Sequence, residues 1–82
     1  MRGEQVIVRS FGGKPLIRKI WEVKEDVILI VEDSQFQLLI NNDIRAVGPI
    51  GFPKEDVFRF DPIFAKLENK QNINWEMLKP LL

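Results

Sequence analysis

The chain has 82 residues, with 12 Lys and Arg balanced by 12 Asp and Glu, and it contains no His, Cys or Tyr. Those absences exclude Cys/His zinc sites, disulfides, thiol or Ser-His-Asp catalysis and haem ligated by His or Cys. Zero net charge also removes the whole-domain basic footprint of a nucleic-acid binder.

The length predicts one domain spanning residues 1–82. With 45% hydrophobic and 29% charged residues, the composition is that of an ordinary folded domain. A domain this small buries only about 60–65% of its unfolded surface. No disulfide can assist, so the core must be efficient or a second copy must add buried surface. Val6 to Val8 is too short for a signal-peptide core, and the longest apolar run, Val27 to Val31, is too short to span a bilayer. Together with the absence of Cys, these features predict a soluble cytoplasmic protein with no membrane contact.

The zero charge is a sum of blocks. Residues 1–24 hold six basic and two acidic residues, net +4; residues 25–43 hold five acidic and no basic residues, net −5; the remainder is net +1. Such blocks make either a surface dipole or an internally neutralised fold, depending on which elements the fold sets side by side.

In chain order, Glu4 to Phe11 reads as a strand on its β-branched Val6-Ile7-Val8, followed by a Gly12-Gly13 hairpin turn. Leu16 to Val23 is the second strand. Its more apolar face, Ile17, Lys19, Trp21 and Val23, is expected toward the core. After the polar turn Lys24-Glu25-Asp26, Val27 to Val31 is apolar on both faces and needs cover on both. Its far-side partner is expected to be Val57 to Phe60.

Asp33 to Asn42 fits both strand alternation and helical spacing. Ser34-Gln35-Phe36-Gln37 matches a capping box and Asn41-Asn42 a stop, which favours a short helix over 35–41. Gly48 to Pro53 carries two Gly and two Pro and reads as a loop. Val57 to Phe60 alternates as a short strand. Asp61-Pro62 starts a helix over 62–70, with Ile63, Phe64 and Leu67 on its apolar stripe. Asn74 caps a last helix over 74–79.

The expected fold is therefore α+β. It has a small twisted, partly barrel-like antiparallel sheet of about four strands (4–11, 16–23, 27–32 and 56–60). Two or three short helices complete it, in the order β-β-β-α-β-α-α. The expected core is Val6, Val8, Ile17, Trp21, Leu29, Val31, Phe36, Leu39, Phe58, Phe64 and Leu67.

No motif carries recognisable chemistry. Lys24-Glu25-Asp26-Val27 recurs as Lys54-Glu55-Asp56-Val57, but the flanks differ. A charged turn feeding a β-branched strand accounts for both copies better than a duplicated unit. Glu25-Asp26, Glu32-Asp33 and Glu55-Asp56 are adjacent pairs whose side chains diverge in a strand. The first two pairs lie about 15–20 Å apart if they bracket strand 27–31, at about 3.3 Å per residue. They read as solvated turns, not as a divalent-cation or acid/base site. Gly12-Gly13-Lys14 lacks phosphate-loop spacing and precedes a strand. With Lys, Asp, Glu, Ser10 and Ser34 as the only reactive groups, and none in a constellation, no enzyme, cofactor or metal is expected.

Two binding readings remain. Ile50, Gly51, Phe52 and Pro53 in the 48–53 loop, with Trp75, Leu81 and Leu82, offer apolar surface that a small chain struggles to bury. This points to a non-enzymatic module that binds a protein partner or forms a homo-oligomer. The alternative is a nucleic-acid-associated module. It would use Arg2, Arg9, Lys14, Arg18 and Lys19, with Phe11 and Trp21 as stacking surfaces.

Overall fold

A computed structural model describes residues 1–63 and 73–82. Among these residues, five strands form one sheet: β1 (Gln5–Arg9), β2 (Pro15–Val23), β3 (Val27–Val31), β4 (Ile50–Pro53) and β5 (Val57–Arg59). Their order is β4-β3-β2-β1-β5, and every neighbouring pair is antiparallel. One helix, α1 (Asp33–Ile40), lies between β3 and β4. The α+β class stands, with five strands among the described residues in place of the four expected.

The first hairpin follows from its glycines. Gly12 (φ 84°) and Gly13 (φ 80°) occupy the left-handed region that side-chain-bearing residues avoid. Ser10 N donates to Lys14 O at 2.9 Å, and the register begins at Arg9 opposite Pro15. β2 is long enough to serve two partners. Its first half pairs with β1 and its second half with β3, with Lys19 opposite both Gln5 and Val31.

α1 occupies the segment where helix and strand patterns competed, but it starts earlier than the capping-box reading. Glu32 is the cap residue, its carbonyl accepting from Gln35 N and Phe36 N at 3.0 Å, and no side chain caps the end. Ser34 therefore lies inside the first turn. The stop is a Schellman motif. Asn42 adopts φ 55°, Asn42 N donates to Leu39 O at 3.1 Å and Asp43 N to Leu38 O at 2.9 Å.

Two strand pairings differ from expectation. β4 lies within the segment read as a loop, and it is β4, not Val57 to Phe60, that flanks β3: Ile30 pairs with Ile50 and Ile28 with Phe52. β5 pairs with β1 instead, Ile7 opposite Phe58 and Val8 opposite Val57. Pro49 precedes β4, and Pro53 is tolerated at its end because β4 is an edge strand, where a missing donor leaves no gap in an interior ladder. The helix expected over 74–79 is a single 3₁₀ turn, Trp75–Met77, with Asn74 Oδ1 accepting from Glu76 N at 3.1 Å. The helix expected over 62–70 lies almost wholly outside the described residues; at its start, Asp61 Oδ1 accepts from Ile63 N at 3.1 Å.

The topology forces the sheet to coil. β4 and β5 stand at opposite ends of the strand order, about 19 Å apart in a flat sheet at roughly 4.8 Å per strand. Yet the three-residue 3₁₀ turn Lys54–Asp56 alone joins them, and such a turn rises only about 2 Å per residue. The concave face then packs on itself. Val6, Val8, Ile20, Ile28, Ile30 and Val57 are buried there together with Leu81, and Val23 and Phe52 pack against them.

Parity on β2 is the reverse of the expected one. Val6 and Val8 lie opposite Arg18 and Leu16, so Leu16, Arg18 and Ile20 share the concave side. A bulge between Ile20 and Glu22 accommodates Trp21 as an extra residue, and Val23 thereby joins the face of Ile20. Ile17, Trp21, Leu29, Phe36 and Leu39, expected in the core, are only half-buried. Val6, Val8, Val31 and Phe58 are buried as expected. Phe64 and Leu67 lie outside the described residues. On the convex face, Ile7, Phe58 and Leu78 form a second buried cluster with Phe60, Ile73 and Trp75 against it. α1 covers the part over β2, where the rings of Phe36 and Trp21 meet edge-on at 5.8 Å.

Candidate interaction surface

The coiled sheet leaves its concave side open beside the start of α1. A cleft of about 240 Å³ opens there, lined by Leu16 and Arg18 of β2, Ile30 of β3, Val47, and Ile50 and Phe52 of β4. Register explains the lining. Ile50 and Phe52 stand opposite Ile30 and Ile28, whose side chains fill the core, so β4 carries the apolar interior out to a solvent-facing rim. Ile50 is 62% exposed, while Phe52 is half-buried against the core.

Val47, on the connection from α1 to β4, belongs to the same rim. Gln35 of α1 accepts a hydrogen bond from Val47 N at 2.8 Å, which ties this connection to the helix. Asp43 organises the turn before it. Its carboxylate accepts from Arg45 N at 2.8 Å and takes the guanidinium at 2.7 and 3.0 Å. Hydrogen bonds from the Arg45 side chain and backbone hold the Asp43 carboxyl below its ordinary pKa. With the backbone so tied, Ile44 is 100% exposed and Val47 63% exposed. Neither residue stands out in the sequence. They follow the helix stop without periodicity, and only the turn geometry shows which way they face.

The residues expected to bind a partner do not form one patch. Ile50, Gly51, Phe52 and Pro53 lie together on β4. Trp75 packs on Phe58, ring centroids 5.1 Å apart, on the convex face. Leu81 is 4% exposed and belongs to the concave core, so its surface is already taken; Leu82 beside it is exposed.

The basic block is largely engaged with acidic neighbours. Because β2 lies beside β3 and α1, Arg18 meets Glu32 at 3.8 Å and Lys19 meets Asp33 at 2.6 Å. Arg9 pairs with Asp56 at 2.8 Å. Arg2 lies over the Trp21 ring, 4.3 Å from its centroid, and its Nε donates to Trp21 O at 2.7 Å. Lys14 is exposed at the first hairpin, beside the fully exposed Phe11. The +4 and −5 blocks thus meet at two ion pairs, Arg18–Glu32 and Lys19–Asp33, while Arg9 takes its carboxylate from the turn before β5. A broader polar depression of about 900 Å³ is lined by Met1, Glu4, Gln5 and Arg59 and by the paired Lys19 and Asp33.

Among the described residues, no three acidic side chains gather in a group that could hold a metal ion. Among them, too, no helix is long and apolar enough to cross a membrane. Compared with protein-family models, with curated proteins and with solved structures, the chain matches none.

Proposed function

We propose that this chain is a non-enzymatic interaction module that binds a protein, in the first instance a second copy of itself. Contact is through the rim formed by Val47 and Ile50, to which we add Ile44, the fully exposed residue of the turn that precedes Val47. One observation carries the reading: Val47 and Ile50 are exposed and line one apolar cleft that leads into the core. Covering a large aliphatic side chain contributes on the order of 1.5–3 kcal/mol, so three such residues provide the driving force of a modest interface. Zero net charge favours a second copy, because two copies meet without long-range repulsion. A two-fold axis beside the β4 edge would set the same rim on both chains, the usual arrangement of a homodimer.

Methyl NMR over a concentration series tests the reading. Shifts confined to Ile44, Val47 and Ile50, and abolished in Ile50→Lys, are the expected result; concentration-independent spectra overturn self-association.

The alternative, nucleic-acid association through Arg2, Arg9, Lys14, Arg18 and Lys19, is disfavoured by the carboxylates that three of these cations already face. Phosphate contacts would have to displace those partners. A titration with short single-stranded DNA and RNA at low salt discriminates. Amide shifts across residues 2–21 that vanish with added salt would favour the alternative.

A further inference from the structure

Residues 78–81 lie along the outer edge of β5 as a strand would. Arg59 N donates to Lys79 O at 2.8 Å, Leu81 N donates to Val57 O at 3.2 Å, and Phe58 faces Pro80. This bonding flanks the Phe58–Pro80 pair and makes no demand on it. Pro80 thus occupies a ladder position where a missing N–H costs nothing. The two leucines straddle the edge. Leu78 packs with Ile7 and Phe58 on the convex face, and Leu81 with Val6, Val8 and Val57 on the concave face. Both are 5% exposed or less, although their neighbours Lys79, Pro80 and Leu82 are exposed.

These contacts have the anatomy of strand addition: main-chain bonds to a sheet edge, with side chains seated alternately in pockets on the two faces. We propose that the β5 edge is a peptide-acceptor groove. It accepts extended segments of the pattern Leu-x-x-Leu, and residues 78–81 occupy it as an internal ligand. A proline at the third position is permitted by the bonding pattern, and the flanking leucines are read by the Ile7/Phe58 and Val6/Val8/Val57 pockets. The groove is separate from the rim at β4, so either proposal can fail without the other. Because the internal segment competes in cis, an incoming peptide sees only the fraction of molecules in which that segment has lifted away.

The test uses the full chain and a fluorescent synthetic peptide of residues 73–82. Leu81→Asp weakens the internal ligand while leaving Val57 and Arg59 in place. The peptide is expected to bind this variant at least tenfold more tightly than the wild type, with amide shifts centred on Val57, Phe58 and Arg59. A peptide carrying the same Leu-to-Asp change is expected not to bind. Equal affinity for both chains, or no binding to the folded variant, overturns the proposal. Should Leu81→Asp fail to fold, hydrogen exchange on the wild type decides. The Arg59 and Leu81 amides are expected to exchange at least tenfold faster than the slowest core amides, reporting local release. Exchange of both at the global unfolding rate overturns the groove.

Discussion

Arg9 Nε meets Asp56 Oδ1 at 2.8 Å, at the point where the turn from β4 enters β5 beside the end of β1. Arg9 also donates to Glu55 O at 3.0 Å, and its guanidinium lies 5.3 Å from the Phe58 ring centroid and 5.4 Å from that of Trp75. One side chain thereby fixes the turn that brings the two ends of the sheet together and the packing of the C-terminal segment on the convex face. Arg9→Ala should cost about 1–2 kcal/mol and Asp56→Ala less. A double-mutant cycle by urea unfolding should return a coupling of about 0.5–1 kcal/mol. Arg9→Lys should recover little of the loss, because an ammonium cannot serve the carboxylate and the carbonyl with one planar fork.

The glycines separate backbone strain from crowding. Gly3 has φ 87°, and a Cβ placed there would lie 3.1 Å from Phe36 Cζ; Gly12 has φ 84° with open space around it. Gly12→Ala should cost about 1 kcal/mol, the penalty of the left-handed backbone alone. Gly3→Ala should cost more, and the excess should shrink in a Phe36→Leu background. Thermal denaturation of the wild type and the four variants, Gly12→Ala, Gly3→Ala, Phe36→Leu and Gly3→Ala/Phe36→Leu, measures both terms.

The cluster of Arg2, Trp21 and Phe36 anchors α1 to the sheet. Lys19 lies 5.1 Å from the Phe36 ring centroid and adds a second cation to it. Phe36→Ala removes the edge-on contact with Trp21 and should cost about 2–3 kcal/mol, below the range of fully buried aromatics because Phe36 is half-exposed. Tryptophan emission in the folded variant should shift to the red as water reaches Trp21.

The Asp43–Arg45 turn responds to acid in a defined direction. The Asp43 carboxyl is held below its ordinary value by Arg45, so the turn's contribution is complete above the unfolded pKa of about 3.9. It is lost as pH falls through the lower folded value. Amide shifts of Arg45 and Ala46 should therefore hold steady from neutral pH down to about 4 and move below it. In Asp43→Asn that transition should be absent.

The legible parts of this fold are those that local chemistry determines. Gly12-Gly13 closes the first hairpin, and Val27 to Val31 is recognisable as an interior strand. Asn42 ends α1 by a backbone conformation that its residue type favours. The rest depends on distant partners. Gly51 and Pro53 make β4 look like a loop, and it becomes a strand because Ile28 and Ile30 require a neighbour. The bulge at Trp21 inverts a parity that alternation alone predicts. Leu81 reads as surplus apolar surface until the β5 edge is in place to receive it. Of the candidate rim, Ile50 was visible in the sequence; Ile44 and Val47 acquire their exposure from the Asp43 turn and the Gln35 hydrogen bond.

Light scattering coupled to size-exclusion chromatography, from about 10 µM to about 1 mM across the range where modest interfaces form, tests the self-association claim most directly. The mass should rise from the 9.6 kDa of one chain toward that of a dimer, and Ile50→Lys or Val47→Asp should return it to one chain without loss of fold. A wild-type mass of 9.6 kDa at every concentration would contradict it.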